Sequence, residues 1–201
     1  MARIPRKLIL YDGCYAHVFS RSIEKRRIFE TKDDFEFFKN LLFEVKETYQ
    51  FRLHHYCLLN THFHLVVMIE TTEAFSKALQ LIKKKYTHWY NVNHKRFGPL
   101  WRDRFKSLLI EDEAYLYACG LYIERNPVKA GLVSKAEDWE YSSSAYYFLG
   151  KEDPIVEGYD LPTLPKDFDI NDTNHFIRGI GIGRPLFKLY LKEGAECSMS
   201  P

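Results

Sequence analysis

No stretch of this 201-residue chain approaches the roughly 20 consecutive apolar residues that a membrane-spanning helix needs. The opening residues, Met1 to Lys7, do not lead into a signal-like apolar run either, so a cytoplasmic protein without a membrane partner is expected. Cysteine is scarce. Cys14, Cys57, Cys119 and Cys197 include no C-x-x-C pair, which argues against a zinc ribbon or a disulfide frame and for small core residues in a reducing compartment. Glycine is thin as well, and Gly179, Gly181 and Gly183 have neither the spacing nor the leading strand of a phosphate-binding fingerprint. There is no internal repeat.

What is present suffices for a core, with 46% hydrophobic and 16% aromatic residues, and the length suits one domain plus an appendage. The net charge of +2 conceals an asymmetry. Residues 1–150 carry 23 Lys+Arg against 18 Asp+Glu, and residues 151–201 carry 6 against 9. The expected division is therefore a domain over 1–150 and an acidic linker and appendage over 151–201. Lys83 to Lys106 holds eight basic residues and one acidic residue, Asp103, and is the candidate polyanion surface.

Periodicity gives the elements. Cys14 to Ser20 reads as a strand followed by a basic loop with Arg21, Lys25, Arg26 and Arg27. Phe35, Phe38, Leu42, Val45 and Tyr49 recur at helical spacing, with Thr31 or Asp33 as N-cap. Phe51 to Leu59 and His62 to Glu70 read as a hairpin around Asn60-Thr61, although that turn lacks the favoured glycine. A second amphipathic helix runs from about Thr72 to Asn93, followed by a strand over Phe105 to Ile110. Glu111, Asp112 and Glu113 open a third helix, which Asn126-Pro127 closes, and Tyr141 to Leu149 suits a short further helix. The order βαββαβ then α predicts an α+β, ferredoxin-like split βαβ antiparallel sheet, with two helices on one face and the added C-terminal helix on the other.

Two features carry chemistry. Side chains two apart on a strand share a face, so His62 and His64 can both reach one metal ion, while Phe63 points into the helices. Two satisfied, partly buried histidines would leave the same pattern. Tyr115, Cys119, Tyr122 and Asn126 form one stripe of the third helix, which reads either as core or as a stripe carrying function. Asn126 favours function, because a buried amide needs partners. Lys83, Lys84, Lys85, Arg96, Arg102, Arg104 and Lys106, interleaved with Trp89, Tyr90 and Trp101, suit single-stranded nucleic acid; a solvated face is the plain alternative.

Tyr56-Cys-Leu-Leu-Asn-Thr-His-Phe-His-Leu-Val-Val67, Leu100-Trp-Arg-Asp-Arg-Phe-Lys106 and Leu121-Tyr-Ile-Glu-Arg-Asn-Pro-Val-Lys-Ala-Gly-Leu-Val133, with the weaker Tyr141-Ser-Ser-Ser-Ala-Tyr146, occur in this order. Together they resemble the one-tyrosine HUH transposases of the insertion-sequence 200 type, especially those associated with repetitive extragenic palindromes (REP). HUH denotes His, a hydrophobic residue, His. The resemblance implies a catalytic helix carrying the nucleophile Tyr122, and a divalent metal, Mg²⁺ or Mn²⁺, on His62, His64 and Asn126. Mg²⁺ is the poorer match to imidazole ligands. It also implies DNA-binding by the basic residues above together with Arg21, Arg26, Arg27 and Trp101, and puts His17 beside the metal strand in a supporting or purely structural role.

On that resemblance the expected activity is metal-dependent cleavage and strand transfer of single-stranded DNA next to hairpins, through a 5′-phosphotyrosine, by a monomer or homodimer. Two other readings stand beside it: a metal-dependent phosphoesterase that uses water, and a non-catalytic, regulatory hairpin-binding protein. The chain departs from the family pattern at Asn60-Thr61, where Pro-Asn is frequent, and at Ser22, where glycine is frequent. The first bears on the orientation of the histidine strand, the second on the first basic loop.

Overall fold

The computed structural model describes residues 10–111 and 113–159. The elements are β1 (Cys14–Arg21), α1 (Lys32–Tyr49), β2 (Phe51–Leu59), β3 (His62–Ile69), α2 (Thr72–Asn93), β4 (Lys106–Ile110), α3 (Glu113–Glu124), α4 (Asn126–Lys129) and α5 (Ser144–Leu149). The four strands form one sheet in the order β2-β3-β1-β4, and each pair of neighbours is antiparallel. This is the expected split βαβ arrangement, with β1 and β3 at the centre. No described helix is long and apolar enough to cross a membrane.

Local chemistry sets the helix starts. Thr31 accepts the Asp34 N–H, and the Asp34 carboxylate accepts the Thr31 N–H at 2.7 Å, a reciprocal capping box. From there Phe35, Phe38, Leu41, Leu42 and Val45 fall on one face and are buried. Phe75, Ala78, Leu79, Ile82, Tyr86 and Tyr90 do the same on α2. The two helices share a sheet face, where Phe63 from β3 meets Phe38 and Trp101. Burying each such large side chain stabilises the fold by roughly 1.5–3 kcal/mol.

The other sheet face carries α3. A second apolar cluster joins Phe19, Cys57, Leu59, Val66 and Ile110 of the sheet to Leu116, Cys119, Tyr122 and Ile123 of the helix. With both faces covered, β3 reads as a nearly continuous buried run rather than an alternating one. Cys14, Cys57 and Cys119 are buried free thiols, as their scattered spacing suggests; Cys197 lies outside the described residues.

Residues 151–159, on the appendage side of the expected boundary, pack against β2. Glu157 N–H donates to the Leu53 carbonyl at 2.8 Å, Tyr56 Oη donates to Asp153 at 2.7 Å, and Ile155 and Val156 are buried in the main core. The packed unit therefore extends past residue 150. The Gly179, Gly181 and Gly183 loop and the rest of the expected appendage lie outside the described residues.

Candidate active site

The register of the two central strands aligns Arg21 with His62, Phe19 with His64 and His17 with Val66. Partners directly across antiparallel strands share a face, so His17, Phe19, Arg21, His62 and His64 all lie on the α3 side. His62 and His64 meet edge to face with ring centroids 5.0 Å apart. His64 also stacks on both His17 and Phe19, at 5.2 and 5.7 Å.

Both Nδ1 atoms of the pair are held. His64 Nδ1 shares a 3.0 Å hydrogen bond with His17 Nε2, and His62 Nδ1 shares one of 2.8 Å with Thr61 Oγ1. Burial pulls the His17 and His62 pKa values down to about 3, Arg21 adding to the effect at His62. His64 is held well below its ordinary value by burial first and then by the charges of His62, His17, Arg21 and Lys129. At neutral pH these rings are uncharged, the state in which imidazole is a ligand.

The turn that aims this strand needs no glycine because tertiary contacts hold it. The Asn60 carbonyl accepts Ile28 N–H at 2.7 Å and Phe29 N–H at 3.1 Å, while the Thr61 carbonyl accepts Ser22 N–H at 2.9 Å. Ser22 also donates its hydroxyl to the Arg26 carbonyl at 2.6 Å, which ties the first basic loop. Both departures from the family pattern thus make specific contacts.

Tyr122 lies in the cluster that α3 buries against this face and is 3% exposed. The helix does not simply stop at Asn126-Pro127. Arg125 keeps helical dihedrals and α4 follows directly. Pro127 has no N–H to offer the carbonyl of Ile123, and Asn126 Nδ2 donates to that carbonyl and to that of Tyr122, both at 3.1 Å. The amide nitrogen is thereby used as a cap and Oδ1 is the group left for a ligand. Lys129, exposed to solvent, lays its ammonium 4.2 Å from the centroid of the Tyr122 ring. The protein crowded around that ammonium, with Arg125 beside it, brings its pKa down to about 8.

A buried polar network on the same helix went unseen in the sequence. His55 Nδ1–H donates to Glu124 Oε1 at 2.6 Å, Ser143 Oγ donates to the same oxygen at 2.8 Å, and Tyr159 Oη meets His55 Nε2 at 2.5 Å. The His55 ring also stacks on Tyr147 at 4.4 Å. Gly120 lets α3 come this close, since a Cβ there would sit 2.4 Å from His55 Nε2. The available signal was a glycine inside a helical pattern with Glu124 one turn on, which marks a close approach.

The predicted DNA contacts separate into groups. Arg21, Arg102, Arg104 and Lys106 line one cavity of about 170 Å³ with Phe19, Ser20 and Asp103. Lys83 adjoins it, donating to Ser20 Oγ and to the Asp103 carbonyl at 2.8 and 2.6 Å. Trp101 is half-buried against Phe38 and Phe63, with Lys83 over its ring. Lys85 turns to Glu44 of α1, and Lys84 is exposed. Arg26 and Arg96 are half-buried and Arg27 is exposed, each in a loop.

Among the described residues no group of three or more His, Cys, Asp or Glu is placed to hold a metal ion. A cation here would need the two imidazoles plus a donor of another kind. The residues fit the chemistry of that requirement: His62 and His64 are uncharged with Nδ1 engaged, so coordination would fall to Nε2, and Asn126 would offer Oδ1.

The profile of the family described as "Transposase IS200 like" matches residues 10–126. A candidate REP-associated tyrosine transposase of Haemophilus influenzae is 29% identical over 116 residues, 53% of this chain and 66% of that protein. The REP-associated tyrosine transposase of Escherichia coli K12 is 25% identical over 126 residues, 62% of this chain and 73% of that one. A solved structure of a REP-associated tyrosine transposase bound to a REP hairpin superposes with a TM-score of 0.63 at 21% identity, covering 84% of this chain and 100% of that chain, and shares its fold.

Proposed function

The chain belongs to the family of IS200-like transposases, and from that premise we propose that it cleaves and transfers single-stranded DNA beside hairpins, through a 5′-phosphotyrosine on Tyr122. The observation that carries the reading is the sharing of one sheet face: the uncharged pair His62 and His64 lies there, and Tyr122 belongs to the apolar cluster on that face, which includes Phe19 beside His64.

A divalent cation, Mg²⁺ or Mn²⁺, held by His62 Nε2, His64 Nε2 and Asn126 Oδ1, would neutralise charge on the scissile phosphate as the transition state forms. For His64 to present a lone pair at Nε2, its Nδ1 must carry the proton and donate it to His17 Nε2, and Thr61 Oγ1 must likewise accept from His62 Nδ1. His17 and Thr61 then select the ligand tautomers. Tyr122 Oη attacks phosphorus in line, a P–Oη bond forms, and the bond to the departing 3′ oxygen breaks. The phenol loses its proton and the 3′ oxygen gains one, so a free 3′ hydroxyl and a 5′-phosphotyrosine result. Because that product is again a phosphodiester, a second 3′ hydroxyl can reverse the step onto a new strand without a nucleotide cofactor.

The cavity of Arg21, Arg102, Arg104 and Lys106 begins one strand position from the histidines and suits the backbone of the incoming strand. A hairpin partner is supported by the solved relative, which is bound to one.

Incubating the protein with end-labelled oligonucleotides that carry hairpins from the flanks of its own gene, with Mn²⁺ or with chelator, tests the proposal. A metal-dependent covalent protein–DNA band that is lost in His62→Ala is expected. Cleavage without that band would point to attack by water, and hairpin binding without cleavage across varied substrates would point to a regulatory binder.

A further inference from the structure

From outside α3, Lys129 places its Nζ 4.2 Å from the centroid of the Tyr122 ring. Tyr122 is 3% exposed whereas Lys129 is open to solvent, so an approaching strand meets the ammonium as it reaches the ring. The charge of Lys129 is also felt at His64, which places it near the candidate metal ligands as well as the candidate nucleophile. Arg125 on its own segment is its neighbour of like sign, and Arg21 across the sheet acts on His64 in the same direction as Lys129 does. Glu124, the nearest carboxylate in sequence, is committed to His55 and Ser143 instead.

Resting on the tyrosine reading above, we propose that Lys129 is a catalytic residue for strand cleavage: its ammonium leaves the Tyr122 ring and pairs with a non-bridging oxygen of the scissile phosphate. An exposed cation–π contact is weaker than a charge-assisted hydrogen bond to phosphate, so the exchange is favourable once DNA arrives. As Tyr122 Oη bonds to phosphorus, negative charge accumulates on the non-bridging oxygens beyond that of the diester. A cation already placed there stabilises the transition state more than the bound substrate. The ring contact keeps the ammonium at the site before substrate binds.

Lys129→Met keeps most of the stem and removes the charge, and Lys129→Arg restores the charge. Single-turnover adduct formation is measured at saturating hairpin-flanked oligonucleotide with Mn²⁺. DNA affinity is measured separately in a Tyr122→Phe background, where chemistry is blocked. Lys129→Met is expected to slow the adduct by about 100-fold, Lys129→Arg to recover to within about threefold, and affinity to change by no more than about threefold in either. An unchanged rate in Lys129→Met overturns the proposal. So does a loss that arginine does not recover, which marks packing, or a loss carried wholly by affinity, which marks a simple backbone contact. If Lys129→Met does not fold, Lys129→Gln is read against the same criteria. A wild-type protein that forms no adduct with any metal sinks the tyrosine reading itself, whereas an adduct that needs Tyr122 but not Lys129 sinks this inference alone.

Discussion

At the scale of single residues, burial decides the charge of the histidines. In the unfolded chain each titrates near its ordinary value of 6.5, whereas in the fold His17 and His62 do so at about 3 and His54 at about 4. Between those limits the unfolded chain binds protons that the folded one refuses. Their contribution to stability is therefore complete above about pH 6.5 and falls away as pH drops through the folded values. Metal-free protein should show a lower urea midpoint at pH 5 than at pH 7.5, and His17→Phe should flatten that difference. The His62 and His64 pair was legible because a strand's period of two puts both on one face. Thr61 was not legible as a partner, since a contact to the neighbouring ring depends on how the Asn60-Thr61 turn is held. Thr61→Val, which deletes the hydroxyl bonded to His62 Nδ1, should weaken Mn²⁺ binding by about tenfold in a calorimetric titration.

The scale of elements centres on α3, which carries Tyr122 and is fastened two residues later through Glu124 to His55 on β2. Removing one member of a buried pair strands the other without compensation. Glu124→Ala should cost about 3 kcal/mol in denaturant unfolding. Gly120→Ala should also destabilise, by about 1–3 kcal/mol, because the His55 ring it would strike is held at both nitrogens and stacked on Tyr147. If Gly120→Ala proved neutral, α3 would not lie as close to β2 as described. The existence and order of α1 and α2 were readable from their 3.6-residue periods, and α3 from the acidic residues that open it. The continuation of α3 into α4 was not, because proline ordinarily ends a helix and the Asn126 side chain that compensates for its missing N–H acts at short range.

At the scale of the whole molecule, the sheet order could be anticipated because βαββαβ with short connections leaves few ways to pair four strands. The extent of the packed unit could not. Residues 151–159 have no regular structure, hence no period to read, and their acidic composition suggests solvent, yet Ile155 and Val156 are in the core and Tyr159 completes the His55 network. A chain ending at residue 150 should therefore melt about 10 °C below one ending at residue 159. Equal melting temperatures would return the boundary to residue 150.

The proposed chemistry turns on which atom attacks the DNA. The most direct measurement is to trap the covalent product formed with Mn²⁺ and a hairpin-flanked oligonucleotide, digest both polymers, and locate the nucleotide-bearing peptide by mass spectrometry. A single modified peptide is expected, with the phosphate joined to Tyr122 and its partner fragment ending in a 3′ hydroxyl. A modification on Tyr115 or another side chain, or cleaved DNA with no modified peptide at all, would contradict it.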